Sequence, residues 1–301
     1  MIKDILIMGA GAIGCLFGGL IAKFGHKVIL IGRDWQVKKI RDNGLHIYNS
    51  DDFYVYPEAY TSPIESDLIL MTVKAYDTEK SAKSLLIKED SVVLSIQNGI
   101  NNEEIIARII GLNHVIGGTT SHGALLLGPG EVRHTGYGKT VIGEMDGMVT
   151  ERVREVKKIF DDSKIDTIIT SDIKKELWNK LIINVGINAI SAITGLENGY
   201  IYKINNLSEI SKKAVREAIN VAKKVNINVD LDEEDVLMVA KQTERNRSSM
   251  LQDLDRGKKT EIDGINGEIV KIGRKYMLDC DVNETLYHLI KAKEIYREGI
   301  T

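Results

Sequence analysis

Near the N-terminus an apolar run, Ile5 to Met8, leads directly into Gly9-Ala10-Gly11-Ala12-Ile13-Gly14 and then into a helical pattern from Ile13 to Phe24. No other segment constrains the fold as tightly. A strand, a glycine turn and a helix in that order open a dinucleotide-binding βαβ unit. Gly9 permits the tight turn, Gly11 lets the backbone approach a pyrophosphate, and Gly14 lets the helix pack close to the sheet. The helix N-terminus then turns its unpaired N–H groups and positive dipole end toward the phosphates. Glycines also mark ordinary turns, so it is the strand before and the helix after that carry the reading. Gly9, Ala10, Gly11, Ala12, Ile13 and Gly14 are therefore cofactor-binding candidates.

Further apolar runs follow at Val28 to Ile31, Leu68 to Val73 and Val92 to Ile96, and Val115-Ile116 leads into Gly117-Gly118-Thr119-Thr120. Their alternation with helical patterns predicts a Rossmann-type, doubly wound parallel sheet. From Gly123 to Gly143, glycines between short β-prone pieces predict an antiparallel hairpin at the edge of that sheet. A helix from Thr150 to about Asp161 and a strand Thr167 to Thr170 come next, and Ser171-Asp172 reads as the N-cap of a long helix. Beyond it the pattern is helical, over roughly 173–193, 207–225, 232–245, 261–278 and 284–298. The fold class is α/β: an N-terminal Rossmann-type domain over 1–170 for a dinucleotide, then an all-α domain over 171–301 for substrate and catalysis. The active site is expected in a cleft between them.

A length of 301 residues suits two domains. Forty Lys and Arg against 43 Asp and Glu leave a net charge of −3, without the basic excess of a nucleic-acid binder. Cys15 and Cys280 lie far apart in sequence, and neither they nor the six histidines show metal-ligand spacing. Neither a disulfide framework nor a metal site is expected, and a reducing cytoplasm is. No apolar run reaches the roughly 20 residues of a membrane span, and the N-terminal stretch lacks a basic leader and a cleavage site. The expected partner is a small molecule, not a nucleic acid or a membrane; a homodimer stays open.

The choice of cofactor turns on the end of the second strand. An NAD enzyme usually places an acidic residue about 20 positions past the glycines. Here the strand ends in Gly32-Arg33-Asp34, and the Arg33 guanidinium can pair with a 2′-phosphate, which predicts NADPH. Asp34, turned inward, would favour NAD; a surface ion pair is the plain alternative. Lys74 and Asn98 follow the strands Leu68 to Val73 and Val92 to Ile96, at the carboxyl ends where open α/β sheets bind ligands. A solvated loop lysine and a simple Asn98-Gly99 turn are the competing readings.

From Leu181 to Ile193 the long helix is apolar nearly all round, so it must be largely buried. Lys180, Asn184 and Asn188 nevertheless fall at i, i+4 and i+8, on one face. Asn is a poor helix former and buried polar groups need partners, so this stripe points to a ligand, or else to a neighbouring element or water. Hydride delivery to a carbonyl carbon builds negative charge on oxygen, which a nearby ammonium stabilises and protonates. Further on, Ser248-Ser249-Met250-Leu251-Gln252-Asp253 precedes Thr260-Glu261-Ile262-Asp263-Gly264-Ile265-Asn266-Gly267. Thr260 and Asp263 read as a capping box, which leaves Ser249 and Glu261 for a ligand.

Together with Trp178-Asn179-Lys180-Leu181, these blocks make the chain resemble the 2-dehydropantoate 2-reductase (ketopantoate reductase) family over nearly its whole length. The resemblance implies NADPH-dependent reduction of ketopantoate to pantoate, a step toward pantothenate and coenzyme A. By position, Lys180 looks like the general acid and Glu261 like the active-site glutamate that helps bind the substrate hydroxyl. Asn184 and Asn188 resemble the hydroxyl-binding asparagines, Asn198 a further polar residue near the site, and Ser249 the carboxylate-binding serine. Arg33 and Lys74 resemble contacts to the cofactor phosphate and ribose, and Asn98 the asparagine beside the nicotinamide. Asp34 next to Arg33 departs from the pattern and keeps NAD open. Two alternatives remain: a reductase of another small 2-oxo acid, and a dinucleotide-binding regulator without turnover. Against the regulator stands the set Lys180, Asn184, Ser249 and Glu261, because a sensor needs no proton donor.

Overall fold

The first helix after the glycine turn, α1 (Ala12–Lys23), is buried at every position from Gly14 to Ile21, so it needs apolar cover on opposite sides. The computed structural model, which describes residues 2–48 and 52–297, supplies that cover as two sheets. Their strands, in chain order, are β1 (Asp4–Met8), β2 (Lys27–Ile31), β3 (Leu45–Tyr48), β4 (Phe53–Val55), β5 (Glu58–Tyr60), β6 (Leu68–Met71), β7 (Val92–Ser95), β8 (Val115–Thr120), β9 (Gly123–Gly128), β10 (Glu131–Gly136), β11 (Thr140–Glu144) and β12 (Thr167–Ile169). The larger sheet runs β12-β11-β8-β7-β6-β1-β2-β5 and the smaller β4-β3-β10-β9. In the larger, β8 and β11 are antiparallel and the other pairs parallel. Its stretch β5-β2-β1-β6-β7-β8 is the doubly wound order, and the order reverses between β1 and β6.

Helix α1 lies between the two sheets. A Cβ at Gly18 would sit 2.9 Å from Leu30 of β2, and one at Gly19 2.8 Å from Ile47 of β3. This packing explains the one misplaced element. The hairpin expected at the edge of the larger sheet is β9–β10 of the smaller one, and β11 alone returns to the larger sheet. The second apolar face of α1 requires it: Val132 of β10 joins Phe17 and Ile47 in one buried cluster. Helices α2 (Asp34–Asn43), α3 (Thr78–Ser84) and α4 (Asn102–Ile110), which periodicity did not single out, link the strands. Helix α5 (Glu151–Asp162) begins where expected, and Thr150 caps it by accepting from Val153 N.

The chain divides into two units: Met1–Gln97 with Asn101–Lys174, and Asn98–Ile100 with Lys175–Thr301. The second is helical, built from most of α6 (Ile173–Thr194) with α7 (Gly199–Lys203), α8 (Asn205–Lys224), α9 (Glu233–Gln242), α10 (Ser249–Asp255), α11 (Asn266–Lys275) and α12 (Asp281–Arg297). Leu181, Ile182, Val185 and Ile190 of α6 are buried among Val215, Val236, Leu254 and Ile290 of its neighbours. At the end of α6, Lys293 Nζ donates to the Ala192 and Ile193 carbonyls at 2.8 Å each, a cation where the helix leaves carbonyls unpaired.

Two expectations for this unit need correction. The helical run 261–278 is broken into a 3-10 turn, Ile262–Gly264, and the shorter α11. The Thr260–Asp263 capping box does not form. Thr260 N and Oγ1 both donate to Glu294 Oε1, at 2.7 and 2.6 Å, and Asp263 Oδ1 accepts from Tyr287 OH at 3.1 Å. A buried carboxylate needs donors, and Glu294 takes those of Thr260. A capping box stands instead at α9, between Asp232 and Asp235.

In the α/β unit, His122 Nδ1 and His134 Nε2 lie 3.0 Å apart in a buried pair, with the Phe17 ring edge-on to His122. Burial, and then the neighbouring His134, push His122 from 6.5 to about 4, and burial lowers His134 as well. In the unfolded chain these rings take up protons near pH 6.5, which the folded state resists. Their stabilising contribution is present above pH 6.5 and is lost as the pH falls toward 4. Unfolding free energy is thus expected to drop between pH 7 and pH 5, and to drop less in His122→Gln. An equal drop in both proteins would contradict this.

Candidate functional site

The glycine turn sits at the reversal of strand order. Gly9 has φ +120°, and Gly9 N and Ala10 N both donate to Ile31 O, at 3.2 and 2.7 Å. Thr72 Oγ1, just past β6, donates toward Met8 O and Gly9 O at 3.2 and 2.9 Å. A Cβ at Gly14 would lie 2.0 Å from Gly9 O, so only a glycine lets α1 start this close to β1. Gly11 is different, because a Cβ there would meet nothing within 4 Å. The first-turn N–H groups of α1, at Ala12, Ile13 and Gly14, have no acceptor inside the helix. Open space over Gly11 beside those donors fits the pyrophosphate of a dinucleotide.

The other cofactor candidates of this unit lie at neighbouring strand ends. Arg33 is exposed at the N-cap position of α2 without a side-chain cap bond, and Asp34, also exposed, opens that helix. Gly32 ties the segment to the glycine turn, since a Cβ there would lie 2.9 Å from Ala10 Cβ. Lys74 is half-buried and precedes a 3-10 turn, Ala75–Asp77. Gln97 Nε2 braces that stretch by donating to Val73 O at 2.9 Å and Thr78 Oγ1 at 2.7 Å.

The helical unit holds the remaining candidates. Lys180 and Asn184 are half-buried on α6 and Asn188 is buried, all on the one face that their spacing dictates. Asn184 Nδ2 is buried without a hydrogen-bond partner. Ser248 Oγ donates to Asn188 O at 3.4 Å and caps α10 by accepting from Leu251 N at 3.1 Å, while Ser249 beside it is exposed. Asn98 belongs with this unit: its Nδ2 donates to Glu261 Oε2 at 3.0 Å. Gly99 next to it has φ +87°, and a Cβ there would lie 2.7 Å from Gly264 O. Asn198 is buried on its own loop, with N donating to Asn246 O at 2.9 Å and Nδ2 to Thr243 Oγ1 at 3.1 Å.

Three pairings thus emerge: Asn98 with Glu261, Asn188 with Ser248, and Asn198 with the 243–246 turn. Thr243 and Asn246 were not singled out in the sequence, since nothing in a helix end and its following turn marks them until Asn198 folds against them. A half-buried ammonium in line with amide groups can bind an oxyanion and hand it a proton. Among the described residues no group of three or more His, Cys, Asp or Glu could hold a metal ion, and no helix is long and apolar enough to cross a membrane.

A glycine turn at the switch point of a doubly wound sheet, followed by a helical unit with a lysine–amide stripe, defines a dinucleotide-dependent oxidoreductase. Comparison with known proteins narrows that class. Residues 5–147 match the family described as Ketopantoate reductase PanE/ApbA, and residues 172–294 its C-terminal counterpart. The 2-dehydropantoate 2-reductase of Archaeoglobus fulgidus is 39% identical over 97% of this chain and 98% of its own length. A crystal structure of a PanE/ApbA family ketopantoate reductase from Ralstonia eutropha superposes with a TM-score of 0.91 at 32% identity, covering 98% of this chain and 100% of that one. D-mandelate dehydrogenase, solved with NADH and anilino(oxo)acetate, superposes at 0.92 with 27% identity, with the same coverage. The chain belongs to the ketopantoate reductase family.

The two glycines of the turn are expected to separate on substitution. Gly14→Ala should lower the melting temperature by several degrees or prevent folding, because backbone must move. Gly11→Ala should melt close to wild type yet bind NADPH and NADH more weakly in a fluorescence titration. Wild-type dinucleotide affinity in Gly11→Ala would remove that position from the pyrophosphate site.

Proposed function

We propose that the chain reduces 2-dehydropantoate to pantoate with NADPH, with the dinucleotide on residues 1–170 and the substrate on residues 171–301. The observation that carries the reading is the stripe on α6, where Lys180 immediately precedes the mostly buried apolar run from Leu181 to Ile193 and Asn184 and Asn188 interrupt that run on the same face. When bound, the reduced nicotinamide supplies a hydride to C2 of the 2-oxo acid. Lys180 stabilises the negative charge that develops on the C2 oxygen and protonates it. Asn184 offers Nδ2, its buried unpaired donor, to a substrate oxygen. Ser249, exposed on the first turn of α10, receives the carboxylate. Glu261 and Asn98, joined by their hydrogen bond, act together beside the nicotinamide and the substrate hydroxyl.

On the cofactor side, the first turn of α1 takes the pyrophosphate and Lys74 the ribose. Arg33 pairs with the 2′-phosphate, and its exposure at a strand end suits that role. The buried free thiols Cys15 and Cys280 suit a reducing cytoplasm. A second reading, reduction of another small 2-oxo acid, is favoured by one finding: the superposition on D-mandelate dehydrogenase.

Lys180→Ala is expected to lower kcat with 2-dehydropantoate by about two to four decades, the usual contribution of a positioned proton donor. Near-wild-type turnover would remove Lys180 from that role. Arg33→Ala is expected to raise KM for NADPH far more than for NADH. Equal effects on the two would sink the phosphate clamp.

A further inference from the structure

Gln36 is 1% exposed on α2, where the other buried residues are Val37 and Ile40. A buried amide needs partners at both ends, and the side chain of Gln36 finds them outside its own helix. Nε2 donates to Ala10 O at 3.1 Å, inside the glycine turn, and to Cys15 Sγ at 3.3 Å, in α1. Oε1 accepts from Gly130 N at 3.2 Å, in the turn between β9 and β10. One side chain thus joins the glycine turn, α1 and the smaller sheet.

Its two ends cannot be exchanged. The Ala10 carbonyl only accepts and the Gly130 N–H only donates, so a flipped amide would set oxygen against oxygen and nitrogen against nitrogen. Gly130 is itself fixed, its carbonyl accepting from His46 N of β3 at 2.8 Å. So is the base of the side chain: Gln36 N donates to Arg33 O at 2.9 Å, and a Cβ at Gly32 would lie 2.9 Å from Ala10 Cβ and 3.6 Å from Gln36 Cγ.

Glycines stand on both sides of the carbonyl that Gln36 holds. Gly9 and Gly11 have backbone conformations open to them that other residues lack, and the space over Gly11 is empty. Gly11 O opens the α1 ladder by accepting from Cys15 N at 2.9 Å; the Ala10 carbonyl lies one peptide earlier, outside that ladder. A turn ordered before its ligand arrives spares binding the cost of ordering it. We propose that Gln36 is a positioning residue for the dinucleotide, which locks the Ala10–Gly11 peptide so that the turn meets the pyrophosphate already ordered. This rests on the reading of the glycine turn as the pyrophosphate site. The smaller sheet then has a second part to play, since its β9–β10 turn orients the amide that holds the cofactor turn.

The test compares wild type with Gln36→Met, which keeps the length of the side chain and loses its hydrogen bonds. Kd and KM for NADPH and for NADH are expected to rise about tenfold, roughly what one buried hydrogen bond and the ordering of one residue contribute. The pyrophosphate is common to the two dinucleotides, so both should suffer alike, while kcat at saturating dinucleotide stays within about twofold of wild type. Gln36→Asn keeps an amide but is one methylene short of spanning Ala10 O and Gly130 N. It is expected to weaken both dinucleotides too, and it decides the matter where Gln36→Met does not fold. A rise for NADPH alone places the disturbance at Arg33, on the same helix, and overturns the proposal. A fall in kcat as large as the rise in KM marks a general loss of structure and overturns it as well. A wild type that binds neither dinucleotide overturns the reading of the turn and the proposal with it. A wild type that binds them, matched by both variants, overturns the proposal alone.

Discussion

The α/β unit depends on one close approach, that of the Gly14 Cα to the Gly9 carbonyl. A side chain at Gly14 would collide with that oxygen at 2.0 Å, so the start of α1 can be seated over β1 only with a glycine at that position. Seated there, α1 is covered by the larger sheet on one face and offers an equally apolar second face. The smaller sheet exists to bury that face, with Ile47, Val132 and Phe17 in one cluster. The same seating leaves the first-turn N–H groups of α1 beside the open space at Gly11. The two outer glycines of the turn thus answer to packing, while the space over Gly11 stays open.

The helical unit is organised by buried polar groups that must be satisfied. Glu294 holds Thr260, and Tyr287 holds Asp263, so Glu261 and Ile262 between them in sequence are held by their neighbours while the Glu261 carboxylate accepts from Asn98. Glu217 accepts from Val282 N and Asn283 N at the start of α12, an anion at a helix N-terminus. These bonds leave few polar atoms over. Asn184 Nδ2 and Asn198 Oδ1 are two of them, one donor and one acceptor.

What could be read from the sequence was local. The glycine turn, the strands β1, β2, β6, β7, β8 and β12 of the larger sheet and the lysine–amide face of α6 all follow from patterns within a few residues, whereas β5 is not read there and β11 reads as part of a hairpin. What could not be read depends on pairings across the chain. Nothing near Gly123 announces that β10 will pair in parallel with β3, His46 opposite Glu131. The capping motif at Thr260 was locally sound and lost to Glu294, 34 residues away. Asn98 reaches Glu261 across 163 residues. Thr243 has no motif at all, and only the fold brings it to Asn198, 45 residues away.

The central claim is that this chain oxidises a reduced nicotinamide at the expense of one hydroxylated 2-oxo acid. The most direct test follows nicotinamide absorbance with NADPH across a small panel of 2-oxo acids, 2-dehydropantoate and phenylglyoxylate (2-oxo-2-phenylacetate) among them. The account requires the highest kcat/KM for 2-dehydropantoate. A panel on which 2-dehydropantoate is silent, or is outrun by an acid without a hydroxyl, would contradict it.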